Sequence, residues 1–495
     1  MLRGLSLALL FAAPSAAHAQ TCVANGQACA VASSAPGTLP SYEGLVSNNL
    51  YAPHQIFSGN SMNARVPFYA RDAITGPCRV RMPWYYLLNT TWESGTGLGA
   101  ATVTFKLEYP AGTFTTVTFS GGAATGAMAA GGVVWSDYFT PAVPIPNGAR
   151  GWFRSFVTTS GSNIILTNRG SSSGATSGGL SFGSGLTDQT GNAGFTPASV
   201  ANAYGPDAFT CQTTKRTVLD WGDSREQDLS VYGDATYDYG LIVRSIGPKY
   251  AITSSAIAGG SMGASDASPA ARANTYALAA YVSDAIVALG YNDRTTATAT
   301  VDTYYQNLYS GLKAVNPNIR IGQTTIFSGT TTTVATGGLS SSGTTATVAL
   351  TAAQAAQLWV GETVTIAGVT PSGYNGTVVI TGISGSNVSY TLPAGGTGLA
   401  ASTANGTFSD IGQSRDVHVF QTPAVSTSAL ATINNTTRQS RPQVSYYIEV
   451  ADFFDAGRDT TYSKPNLLID GVHPNRYGNQ SFKSSGTVLN ALPGN

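Results

Sequence analysis

The chain has 495 residues, a formal net charge of +0 and only 10% charged side chains. That length accommodates roughly three domains. The charge balance excludes the basic face that nucleic-acid binding requires, and no segment is long and apolar enough to span a bilayer as a helix. Solubility must then come from Ser, Thr, Asn and Gly, and such a surface, with 24 tyrosines, suits neutral partners such as carbohydrate.

The chain opens with Arg3, an apolar run from Leu5 to Ala13, and Ala17-His18-Ala19 ahead of Gln20. This is the form of a cleavable secretory signal over residues 1–19, the apolar run being too short for an anchor. A mature protein beginning near Gln20, secreted or periplasmic, is expected. The four cysteines, Cys22, Cys29, Cys78 and Cys211, fit an oxidising compartment; an even count favours disulfides, with three connectivities open. No cysteine or histidine spacing suggests a metal site, and no cofactor is implied.

Residues 20–215 alternate Thr, Val, Phe and Tyr with polar residues in short runs such as "ATVTFKLEYP" and "ARGWFRSFVTT", separated by Gly-rich turns. They read as an N-terminal β-sandwich or jelly-roll-like domain, in which "NRGSSSGATSGGLSFGSG" is a low-complexity loop. From residue 216 the texture becomes strand–helix alternation. Strands are expected at "TVLDW", "KYAITSSAIA", "AIVALG", "NIRIGQTTIF" and "VSYYIEVADFF", with helices between them and a last helix at "SFKSSGTVLNAL". This implies an α/β domain with a mainly parallel sheet and helices on both faces. Residues 329–409 interrupt it with β runs ("TTATVAL", "ETVTIAGV", "GTVVITGI", "NVSYTL") and read as a small inserted β domain whose two ends lie close together. Residues 410–495 resume the α/β pattern.

In such sheets functional groups gather at the carboxyl ends of the strands. The first strand is followed by Gly222-Asp223-Ser224, the second by "AGGSM" with Gly259 and Gly260, the third by "GYND" (290–293), and the last by "DGVHPNRYGNQ" with Asp470 and His473. Each motif alone has an ordinary reading. Gly-Asp-Ser is a common turn, Asn292-Asp293 a turn or helix cap, and Asp470 or His473 a helix-entry residue. His418, in "DVHVF", and His54 read as structural. The four motifs in order, each at a strand end, are much harder to explain in those terms.

This ordered set resembles the SGNH (GDSL-type) hydrolase family over Thr217 to Phe327 and Asp410 to Asn495. The resemblance implies a three-layer α/β/α domain in which Ser224 is the nucleophile and Asp470 and His473 complete a triad. It also implies an oxyanion hole from the Ser224 N–H, Gly259 and Asn292, with Gly260 an alternative to Gly259. Arg225 departs from the family's leucine.

The chemistry is self-consistent. A serine hydroxyl needs a base within hydrogen-bond reach, and an imidazole with a reference pKa of ~6.5 serves. The Asp-x-x-His spacing lets a carboxylate fold back onto that ring. The substrate expected is an acyl ester, O-acetyl carbohydrate foremost, with no nucleic acid and no membrane span. The alternatives are a lipid esterase or lysophospholipase, and a non-catalytic carbohydrate-binding surface protein on a degenerate hydrolase fold. The inserted domain leaves the sheet on the edge of Ser224 and His473, so it is expected at the rim of the cleft.

Overall fold

The computed structural model describes residues 39–168, 179–199, 202–227, 240–263, 269–331, 333–393, 396–410, 422–423, 427–458, 462–464, 467–468 and 472–492. The expected signal segment, Cys22, Cys29, His418 and Asp470 lie outside them.

The architecture is α/β, with one parallel sheet and several antiparallel ones. The parallel sheet takes strands β1 (Leu50–Tyr51), β2 (Thr217–Gly222), β3 (Ala251–Ser254), β4 (Asp284–Ala288), β5 (Arg320–Thr324) and β6 (Tyr446–Ile448). Their spatial order is β1-β3-β2-β4-β5-β6, every pair parallel. The α-helices outside residues 333–410 are α1 (Ser224–Gln227), α2 (Leu241–Ile246), α3 (Ala273–Leu278), α4 (Thr298–Val315), α5 (Thr427–Arg438), α6 (Ala451–Phe454), α7 (Arg476–Ser485) and α8 (Thr487–Ala491) among the described residues.

Parallel strands covered on both faces are buried along their whole length, as β2 is at every one of its residues. Leu219 and Trp221 join a core with Leu278, Tyr305, Leu308 and Ile433, from α3, α4 and α5. Val218 points the other way, into a second core with Ile242, Phe454, Phe482 and Val488, from α2, α6, α7 and α8. Period-two alternation thus sends one strand into two cores.

Residues before β2 form antiparallel sheets of four and six strands. Phe68, Phe153 and Phe209 pack ring against ring between them, with centroids 4.5–5.7 Å apart. Cys78 and Cys211, opposite each other on paired strands, form a disulfide. Three sequence expectations change. The stretch read as a low-complexity loop contains a strand, Gly179–Gly183, paired with Ser61–Tyr69 and inserting a fully buried Leu180. "VSYYIEVADFF" is a strand only over Tyr446–Ile448, because the Val450 and Ala451 N–H groups both bond the Thr325 hydroxyl and turn the chain into α6. "SFKSSGTVLNAL" is two helices, broken at Gly486 with φ +70°.

Strand β1 was not anticipated. It belongs to the N-terminal β region yet edges the parallel sheet, with Ala52 N–H bonded to the Ser254 carbonyl. The β region and the α/β sheet are therefore hydrogen-bonded to each other. Beyond β5, residues 333–410 build a seven-stranded antiparallel sheet around their own core of Val364, Ile366, Tyr374, Tyr390 and Phe408. Its first and last strands in sequence pair with each other, Val334 opposite Phe408.

Candidate functional site

Strand β2 delivers its last residues to the carboxyl edge of the sheet and turns at once into α1. Two local features allow so tight a turn. The Asp223 carboxylate accepts the Arg225 N–H at 2.9 Å, satisfying a helix-start donor. Gly222 has no side chain where a Cβ would come within 2.3 Å of Glu226 Cγ. Ser224 is left at the head of the turn, 7% exposed.

Its hydroxyl meets His473. Nε2 of the imidazole lies 2.8 Å from Ser224 Oγ across 249 residues of sequence. His473 stands just ahead of α7, whose N-cap Asn475 accepts the Gly478 N–H at 2.8 Å. Asn475 N–H in turn bonds the Leu467 carbonyl, and Leu468 bridges Pro474. These bonds fix the chain on both sides of the imidazole. Asp470, between them in sequence, lies outside the described residues.

The second and third motifs stand beside this pair. Ile257 N–H bonds the Gly222 carbonyl, so the turn after β3 runs alongside the turn that carries Ser224. Gly260 donates its N–H to the Ile257 carbonyl at 2.9 Å, whereas among the described residues neither the Gly259 nor the Ser224 N–H donates to a backbone carbonyl. Gly259 has φ +71°, and a Cβ there would lie 2.8 Å from Asn89 Nδ2. Asn292 donates one amide hydrogen to the Gly260 carbonyl at 2.9 Å, and an amide carries a second. The buried Asp293 accepts from the Met262 and Gly263 N–H groups at 2.9 and 3.0 Å. Asn292 and Asp293 thus bind the two loops together from opposite directions.

Arg225 is buried where the family resemblance expects leucine. Its guanidinium donates to the Phe327 and Ser328 carbonyls at 3.0 and 3.4 Å, and stacks over the rings of Tyr291 and Phe327 at 3.8 and 3.5 Å. The residue after Ser224 therefore contacts both the Asn292 loop and the segment leading into the antiparallel sheet of residues 333–410. Ser328 continues the network, its N–H and hydroxyl both bonding Asp455 at 2.8 and 2.6 Å.

Burial dominates the local electrostatics. It raises the Asp223 carboxyl, opposed by the nearby Arg225 and His473 charges, and it raises Asp293, opposed by the two N–H bonds it accepts. Asp220, on β2 and wholly buried, is pushed up to about 7 by desolvation, with the Ser254 hydroxyl bond pulling it the other way.

The structure thus brings Ser224 and His473 into contact, ties the Gly259-Gly260 turn to the turn ahead of Ser224 through Ile257, and bonds Asn292 to Gly260. Sequence reading missed Asp293 as a clamp and Arg225 as a hub; a charged residue within a few positions of a buried strand's end was the available signal. It also missed Asn89, which comes from the N-terminal β region and carries no motif.

No protein-family model and no curated protein matches the chain. Among solved structures, it aligns with one described as a GDSL-like lipase from Bacteroides ovatus at 9% identity, over 88% of this chain and 86% of that one, with a TM-score of 0.28. A salicylyl-acyltransferase from a tetracycline biosynthetic pathway aligns at 9% identity over 82% and 86%, with a TM-score of 0.29. A family two carbohydrate esterase from Clostridium thermocellum, in complex with cellohexaose, aligns at 13% over 55% and 77%, with a TM-score of 0.20. Superpositions this loose carry no argument, and the functional reading rests on the site.

Proposed function

We propose that the chain is an exported serine esterase built on a three-layer SGNH-type domain, acting on acyl esters, O-acetyl groups of carbohydrate foremost. The observation that carries this reading is the 2.8 Å approach of His473 Nε2 to Ser224 Oγ at the end of a central parallel strand. An ordinary turn serine has no reason to meet an imidazole there.

In the proposed reaction, Ser224 Oγ attacks the ester carbonyl carbon while its proton passes to His473 Nε2. The carbonyl oxygen becomes an oxyanion, held by the Ser224 and Gly259 N–H groups and the second amide hydrogen of Asn292. Gly259 is favoured over Gly260 because the Gly260 N–H is already committed to Ile257. The intermediate collapses, the C–O bond to the alcohol breaks, and His473 returns its proton to the leaving oxygen. Water, deprotonated by His473, then attacks the acyl carbon; the bond from that carbon to Ser224 Oγ breaks, His473 returns the proton to Oγ, and the carboxylic acid leaves. Asp470 is assigned to orient the imidazole through its other nitrogen, on the Asp-x-x-His spacing.

The test is hydrolysis of a p-nitrophenyl ester series, from acetate to long acyl chains, by wild type and Ser224→Ala. Acetate turnover that is lost in the variant supports the reading. Preference for long chains redirects it to lipids, and no activity on any ester, acetylated glycans included, overturns it.

A further inference from the structure

The 86–94 hairpin of the N-terminal β region reaches the candidate site. Its strands, Tyr86–Leu88 and Trp92–Ser94, pair through Leu88 and Trp92, so Asn89, Thr90 and Thr91 form the tip. The base of the hairpin is anchored on the α/β part twice. Trp92 is fully buried beneath the second motif, its ring edge 3.0 Å from where a Cβ on Gly260 would stand and its centroid 5.8 Å from that of Trp221. Glu93 accepts the Asn274 and Thr275 N–H groups at 2.9 and 2.6 Å. Trp92 holds φ +66°, a left-handed backbone that is costly for a bulky side chain and persists only where the surroundings enforce it.

The tip has the opposite character. Asn89, Thr90 and Thr91 are all exposed. Asn89 Nδ2 abuts Gly259, and among the described residues its amide makes no hydrogen bond. A rigidly seated hairpin thus presents an uncommitted amide next to Gly259, the glycine assigned above to the oxyanion hole, with two hydroxyls on the same exposed tip. Its one charged side chain, Glu93, is turned inward. An uncharged surface of donors and acceptors recognises hydroxyls, and gives neither an apolar wall for a long acyl chain nor a counter-charge for an ion.

Resting on the esterase reading, we propose that Asn89 is a specificity residue that hydrogen-bonds the hydroxyl-bearing portion of an acylated sugar beside the reacting ester. The N-terminal β region then contributes to the active site, and the joining of β1 to the parallel sheet ties the two regions together.

The test uses the full chain. In the Ser224→Ala background, calorimetric titration with an acetylated xylooligosaccharide is compared with and without Asn89→Ala. In the Ser224-intact protein, kcat/KM is measured for that oligosaccharide and for p-nitrophenyl acetate. Asn89→Ala is expected to weaken oligosaccharide binding about tenfold, and to lower the ratio of the two kcat/KM values at least fivefold through KM. Asn89→Gln, which keeps the amide, should recover part of the loss. Unchanged affinity, or an equal loss on both esters, overturns the proposal. Binding that depends on Asn89 in a chain inactive on every ester would sink the esterase reading and leave the recognition role standing.

Discussion

Arg225 and Phe327 are joined twice: the guanidinium lies 3.5 Å over the Phe327 ring and donates to the same residue's carbonyl at 3.0 Å. Through this contact the residue that follows Ser224 holds the stretch that leads into the antiparallel sheet of residues 333–410, while its guanidinium also lies over Tyr291, the neighbour of Asn292.

Replacing Arg225 with leucine, the residue the family resemblance expects, leaves two buried carbonyls without their donor. Each such orphan costs roughly 1–3 kcal/mol. Chemical denaturation should register that loss. If positioning is also at stake, kcat for p-nitrophenyl acetate should fall more than KM changes, and Arg225→Lys should restore part of it. A variant as stable and active as wild type would show the contact to be dispensable.

Asn292→Ala removes the amide and with it the bond to Gly260. One oxyanion donor is worth about 10²–10³ in kcat, so a loss of that size with KM little changed is expected in steady-state kinetics. A loss confined to KM would place Asn292 in ground-state binding instead.

Asp220 gives stability a pH signature. Its ordinary value of 3.8 is pushed up to about 7 in the folded chain, so between those values the native state binds a proton that the unfolded state has released. The stabilising contribution is complete below the ordinary value and is lost as pH rises through about 7. Asp220→Asn mimics the protonated carboxyl, and its melting temperature from pH 4 to 8 should fall less steeply than that of wild type. Parallel curves would refute the assignment.

The Cys78–Cys211 disulfide closes a sequence separation of 133 residues, ending just ahead of β2. Loops of this order carry about 2–5 kcal/mol. The double Cys78→Ser, Cys211→Ser variant should lose stability in that range by denaturant titration and retain activity at low temperature, because neither sulfur lies among the candidate site residues.

Much of this protein is legible residue by residue. The change from period-two alternation to strand–helix alternation near Thr217 follows from side-chain direction, which is local to each element. Gly222-Asp223-Ser224 and Asn292 could be placed at strand ends before any coordinates, since a parallel sheet puts every such end on one edge. A return to short β runs marks, in the sequence, the stretch that forms the seven-stranded antiparallel sheet.

What the tertiary structure alone decided is where distant segments meet. Leu50–Tyr51 joins a sheet whose other strands begin at Thr217, because an open strand edge pairs with whatever backbone packing brings to it. Gly259 and Gly260 look alike in sequence, and they separate only when one N–H closes a turn on Ile257 and the other does not. Arg225 departs from the leucine that the resemblance implies and is nonetheless buried, since two aromatic rings and two carbonyls from other segments replace the water its charge gives up. Asn89 has no motif, and only the burial of Trp92 against the α/β core carries it to Gly259. Periodicity and turn chemistry act over a few residues, whereas a cleft is assembled by packing between segments hundreds of residues apart.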